Sequence, residues 1–364
     1  MNQPTAAHRP YYPALDGLRG IACVLVVVYH LFPFFHQYLF FGWMAMDIFF
    51  VLSGFLITDI LMKTIGDPHY LKFFYIRRLL RVFPLYYTAL IFFLLIIPNF
   101  KGLATGFDYF VKHQVYFWLF LQNWLLIFNP SQTDSALNHL WSMAVEEQFY
   151  LLWPLLVALV RKPKHLLIIL VILLTGFSAL RFVLWIQQIE QLSYFSFFTF
   201  TRFDGILIGC MVALLQKINP KFIGQNMAWI VLSFAAFNFL FYFLNLEYKK
   251  SFPYLGLLGF STFSMLFGLL VYDIINRQSK IFTLVFDIGF LKMLGRISYG
   301  TYIFHWPLYL LLNPYFASFA KSNLQGVPPH VFASTALTIL SFIIGYASFH
   351  FFEIHFLRMK KHFA

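Results

Sequence analysis

The sequence predicts an all-α, polytopic integral membrane protein: a bundle of about ten transmembrane helices with both termini in the cytoplasm. Three observations predict it. Of 364 residues, 60% are hydrophobic and only 11% charged, where a soluble domain has about a quarter charged; the mean hydropathy is +0.73. Apolar runs recur from end to end, most of them roughly 17 residues or longer and so able to cross a ~30 Å hydrocarbon core. Such runs must be helical in lipid, because each unpaired backbone group costs several kcal/mol there. The basic residues, finally, gather in short loops between the runs, which is the positive-inside pattern.

The expected spans are 15–35, 39–62, 82–98, 140–160, 165–185, 203–216, 227–245, 254–273, 294–312 and 331–353. This divides the chain into an N-terminal cytoplasmic tail (1–14), one transmembrane domain (15–353) and a C-terminal cytoplasmic tail (354–364). Segment 114–128 is apolar and aromatic but short, and a re-entrant or interfacial placement keeps the charge asymmetry. With ten spans, 19 of the 26 Lys and Arg fall on the inner side, favouring cytoplasmic termini. The 50 Phe, 21 Tyr and 8 Trp suit lipid-facing surfaces and interfacial belts.

The same composition excludes soluble and disordered classes. A net charge of +12 would suit nucleic acid, but basic residues spread over short loops form no groove, so no nucleic-acid partner is expected. Cys23 and Cys210 lie inside apolar runs and read as free, buried thiols. The first fourteen residues are polar and Pro-rich, and no cleavage site follows the first apolar run, so no signal peptide is expected.

Ionisable groups inside spans are costly, and each is a functional candidate. In the first span, Arg19 and His30 stand eleven residues apart; at 3.6 residues per turn they share a face within roughly 20° and lie about 16 Å apart. A cation near the inner end and an imidazole in the outer half suit general-base or acyl-carrying chemistry. The alternative is an Arg snorkelling to headgroups and a His at the opposite interface. Asp47 adds a buried acid to the second span, where Ser53-Gly54 permits close helix approach. Between the second and third spans, Arg77, Arg78 and Arg81 form a cationic cluster at the inner mouth, serving as a lipid anchor or as a site for phosphate.

The fourth span opens with His139, Ser142 and Glu146 on one face, and Glu147 about 100° away. One of the two acids could orient His30, act as a base, or pair with Arg181 or Arg202. In the ninth span Ser298, Tyr302 and His305 share a face, with Pro307 bending the helix just beyond.

Five motifs in this order resemble the bacterial membrane acyltransferase family 3. They are Arg-x10-His at Arg19 and His30, Asp47 with FFxLSGFLI, RRxxRxxPxY from Arg77, SMAVEEQFYLLWP from Ser142, and SYGTYxxHWP from Ser298. The family includes O-acetylases of surface polysaccharide and lipopolysaccharide. The resemblance implies acetyl-CoA, or another acyl-CoA, as cytoplasmic co-substrate, with no bound cofactor. It implies a saccharide hydroxyl as acceptor, membrane lipid around the bundle, and a multi-pass location in the bacterial inner membrane. Position by position, it makes Arg19 and His30 the essential pair and Glu146 or Glu147 the acid; Arg77, Arg78 and Arg81 become the coenzyme-binding cluster. His305 matches a recurrent family position without an assigned role. Many relatives append an extracytoplasmic hydrolase-like domain; with about eleven residues after the last span, a second transfer step here is expected to use another protein or none, and glycan-assembly proteins are candidate partners.

The mechanism expected is that coenzyme A phosphates dock on the arginines and the thioester enters the bundle. His30 then activates the hydroxyl or takes the acetyl group itself, with Glu146 holding its tautomer and Arg19 polarising the donor. A thioester is already activated, so no metal is expected. The rival from another class is a transporter or flippase for a sugar or lipid-linked sugar, since buried Arg, His and Glu also serve proton coupling.

Overall fold

The computed structural model describes residues 11–35, 42, 44–100, 107–129, 136–187, 192–220, 227–247 and 255–363. Within them every regular element is helical. In chain order these are α1 (Pro13–Leu31), α2 (Ala45–Thr64), α3 (Tyr70–Leu90), the short α4 (Asp108–Lys112), α5 (Gln114–Trp118) and α6 (Gln122–Phe128), then α7 (Trp141–Val160) and α8 (Pro163–Ile186). There follow α9 (Leu192–Phe197), α10 (Thr199–Arg202), α11 (Asp204–Ile218), α12 (Met227–Glu247), α13 (Phe260–Asn276), α14 (Lys280–Phe286), α15 (Gly289–Asn323), α16 (Pro329–Ser348) and α17 (Ile354–Met359).

Among the described residues eight helices are long and apolar enough to cross a membrane. The sixth and ninth expected spans are the two that differ. The sixth is α11, only 15 residues, or about 22 Å at 1.5 Å per residue; it is buried almost throughout, so it need not match the thickness of lipid. The ninth is the central part of α15, a 35-residue helix. The third span also starts earlier than expected. Its helix begins at Tyr70 and runs 30 residues to Asn99, so Arg77, Arg78 and Arg81 stand on the helix itself and not in a loop before it. Charge ends a hydropathy window, but it does not end a helix, and nothing in 70–81 breaks the backbone.

Segment 114–128 is broken into α5 and α6, too short to span, with Phe120 between them in the left-handed region (φ 54°). Backbone freed by the breaks is tolerated at membrane depth only against protein. Here Tyr86 donates to the Phe117 carbonyl at 2.8 Å, Tyr87 to Trp118 at 3.1 Å and Gln148 to Phe120 at 2.8 Å.

Two glycine crossings set the centre of the bundle. α1 packs most extensively on α15, where a Cβ on Gly20 would overlap the Leu291 carbonyl and one on Gly295 the Asp16 carbonyl. α2 packs on α11, with Gly54 against the Ile206 carbonyl and Gly209 against that of Val51. Between helices in lipid the attraction is mostly van der Waals packing, which close backbone approach maximises. The expected small-residue role of Gly54 is therefore seen directly. α16 covers the other side of α15, while α8 and α12 present mostly exposed apolar faces.

Candidate active site

His30 stands in the last turn of α1 and His305 in the middle of α15, and the α1–α15 crossing brings them together. His30 Nδ1 lies 3.0 Å from His305 Nε2. His305 is fully buried, and its Nδ1 lies 2.7 Å from the Tyr302 carbonyl oxygen of its own helix. Trp306 packs on the His30 ring at 5.5 Å. A third imidazole, His139, comes from the turn before α7; its ring centroid is 5.1 Å from that of His305, and its Nε2 donates to the Ile303 carbonyl at 3.2 Å. The Tyr302 hydroxyl ties this turn down, bonding to the Ser142 hydroxyl at 2.9 Å and donating to the His139 carbonyl. His139, on one face with Ser142 by its spacing, thus belongs to the same layer; what sequence could not show was its neighbour on α15.

The second layer lies farther along α7. Ser142, Glu146 and Tyr150 recur every four residues on one face, spanning about 12 Å at 1.5 Å per residue. Glu146 accepts from the Ser53 hydroxyl and from the Tyr150 hydroxyl, each at 3.0 Å; the Tyr150 and Ser53 hydroxyl oxygens lie 2.8 Å apart. Ser53 therefore does more than allow helices to approach. The Arg78 guanidinium stacks over the Tyr150 ring at 4.4 Å. Arg81 is exposed, and residues of α1 (Arg19, Asp16) and α7 (Tyr150) lie within its electrostatic range. Arg19 pairs with Asp16 at 3.3 Å, and Arg77 Nη1 is buried with no hydrogen-bond partner among the described residues. Glu147 turns away from Glu146 towards α3 and α15, within electrostatic range of Arg78, Tyr86 and Tyr299.

One expected contact is replaced. Glu146 is held by Ser53 and Tyr150, while among the described residues the group against His30 Nδ1 is the His305 imidazole. The reason is register: Glu146 sits seven residues beyond His139 on α7, in the arginine layer. Ser298 also takes a local role, its hydroxyl donating to Gly295 O in its own helix at 2.8 Å. Glu353, in a π-helical turn after α16, was not anticipated. It accepts from Ser348 at 2.8 Å and lies within electrostatic range of Arg81.

The other intramembrane charges form a separate, closed group. Arg202 pairs with Asp47 at 3.1 Å and Arg181 with Asp204 at 2.8 Å, all four side chains at most 1% exposed. Asp47 is therefore half of an ion pair, and Arg181 and Arg202 take aspartates where Glu146 or Glu147 had been the alternative.

The acyltransferase domain of the Acyl_transf_3 family matches residues 12–347. The peptidoglycan O-acetyltransferase OatA of Listeria monocytogenes is 30% identical, over 97% of this chain and 57% of that protein. The "Putative peptidoglycan O-acetyltransferase YrhL" of Bacillus subtilis is 29% identical over 95% and 55%. A "Putative O-acetyltransferase" of Staphylococcus aureus (strain COL) is 30% identical over 95% and 57%. The chain thus spans little more than half the length of these curated relatives. No solved structure matches it. The chain belongs to acyltransferase family 3, whose domain covers nearly all of it, and that membership favours the transferase over the flippase left open by the sequence's buried charges.

Proposed function

We propose that this acyltransferase is an O-acetyltransferase working in the bacterial cytoplasmic (inner) membrane. It takes acetyl from acetyl-coenzyme A on the cytoplasmic side and esterifies a hydroxyl of a surface or lipid-linked saccharide. The observation that carries the reading is the seating of His30: a half-buried imidazole fixed by His305 at 3.0 Å, at the far end of α1 from the arginine layer. The names of the relatives support acetyl as the acyl group and a glycan as acceptor, with peptidoglycan the first to try.

The arginine layer fits the coenzyme. Arg77 has a buried nitrogen without a partner, and among the described residues neither Arg78 nor Arg81 meets a carboxylate within 4 Å, as phosphate-binding arginines require. Transfer then forms a bond between the acceptor oxygen and the thioester carbonyl carbon, and breaks the carbon–sulfur bond. His30 takes the hydroxyl proton and returns it to the departing thiolate. In the two-step variant the acetyl group rests first on a His30 ring nitrogen and the acceptor displaces it. If the acceptor is lipid-linked, glycan-assembly proteins supply it from outside this chain. The test is acetyl transfer from labelled acetyl-coenzyme A to a muropeptide or oligosaccharide by purified protein in liposomes. The His30→Ala variant should turn over about 10²–10⁴-fold more slowly; turnover at the wild-type rate would overturn the reading.

A further inference from the structure

The proton positions in the His30–His305 pair follow by elimination. A backbone carbonyl only accepts hydrogen bonds. His305 Nδ1 lies 2.7 Å from the Tyr302 carbonyl oxygen, so Nδ1 carries a proton. A neutral imidazole has one N–H, and its other nitrogen is an acceptor. His305 is fully buried, and among the described residues no carboxylate pairs with it; a second proton would make it an unpaired buried cation. Its Nε2 is therefore a lone pair. That lone pair faces His30 Nδ1 at 3.0 Å. Two lone pairs do not bond, so His30 Nδ1 must bear the hydrogen.

From this geometry we propose that His305 is a positioning residue: it fixes His30 as the Nδ1–H tautomer and so reserves the His30 Nε2 lone pair for the transfer step. The proposal rests on His30 carrying out that step. His305 stands where the carboxylate stands in a Ser-His-Asp triad, but it is neutral. It is oriented from behind by Tyr302, the residue whose hydroxyl also bonds Ser142 and His139. The pairing survives the reaction. When Nε2 takes the acceptor's proton, His30 becomes an imidazolium whose Nδ1–H still donates to His305 Nε2. When Nε2 hands the proton to the thiolate sulfur, the starting tautomer returns without any ring turning.

Nitrogen NMR of isotope-labelled histidine in the full-length protein tests this, with His30 assigned by its loss in His30→Ala. The expected wild-type result is a protonated Nδ1 and an unprotonated Nε2 on His30. His305→Gln, whose carboxamide oxygen still accepts from His30, should keep that tautomer and most of the turnover. His305→Leu, which cannot accept, should mix the tautomers and lower kcat about 10²-fold or more, the scale of misplacing a catalytic base, while the KM for acetyl-coenzyme A holds. A wild-type His30 protonated at Nε2, or Leu and Gln variants with the same tautomer, would overturn the proposal. The wild-type spectrum needs no variant at position 305 to fold. A wild-type protein with the predicted tautomer and no acetyl transfer would instead overturn the proposed function.

Discussion

Two groups of buried charge lie inside this bundle, and they are built on opposite terms. Around Arg181 every cation meets an anion. Arg181 bonds Asp204 and Ser261 and donates to the Thr201 and Leu257 carbonyls, while Ser261 passes a hydrogen on to Asp204 at 2.6 Å. Arg202 is held by Asp47 and stacks on Phe260 at 3.9 Å. On α1, α3 and α7, four arginines (Arg19, Arg77, Arg78 and Arg81) stand with Asp16, Glu146 and Glu147, yet among the described residues Arg19–Asp16 is their only ion pair. Sealed, matched charges join helices; near but unmatched charges are the ones the proposed function assigns to a ligand. The cost of a charge in the membrane marks both groups alike, and the contacts separate them.

The contrast can be broken most directly at His30. His30→Ala should lower kcat by about 10²–10⁴-fold, the usual weight of a general base, with thermal unfolding in detergent unchanged. Nearly as large, and opposite in kind, is Arg181→Met, which leaves Asp204 buried without its cation. It should destabilise by about 3–5 kcal/mol, read as a fall in unfolding temperature, while turnover per folded molecule stays at the wild-type level. Loss of turnover at wild-type stability would move the Arg181 group into the active machinery. Arg78→Ala removes a charged donor worth about 1.5–3 kcal/mol to a bound anion, so the KM for acetyl-coenzyme A should rise by about tenfold or more with stability nearly constant. Lys63→Ala sharpens the comparison from the other side. Its pair with Asp59 is partly exposed, 40% and 26%, and exposed pairs contribute at most about 1 kcal/mol; neither unfolding nor turnover should change measurably.

Much of the site was legible because helical spacing reveals faces. Arg19 with His30, Ser142 with Glu146, and Tyr302 with His305 were each grouped along one helix before any neighbour was known. What spacing cannot report is which face meets which. His305 reaches His30 across 275 residues of sequence, and that contact depends on Gly20 and Gly295 letting two backbones touch. Asp204 escaped notice because an acid at a helix start is ordinary on electrostatic grounds; only its burial against Arg181 makes it a lock. Glu353 escaped because a π-helical turn shifts its register off the α-helical period.

By itself the sequence determined the membrane class and the approximate spans, since apolar length and the cost of unpaired backbone in lipid leave few alternatives. It also determined which helices carry the costly residues. The tertiary structure alone decided that Asp47 is locked to Arg202 and that an imidazole backs His30. Those outcomes depend on close packing between segments distant in sequence, and the periodicity of one helix holds no information about its partner.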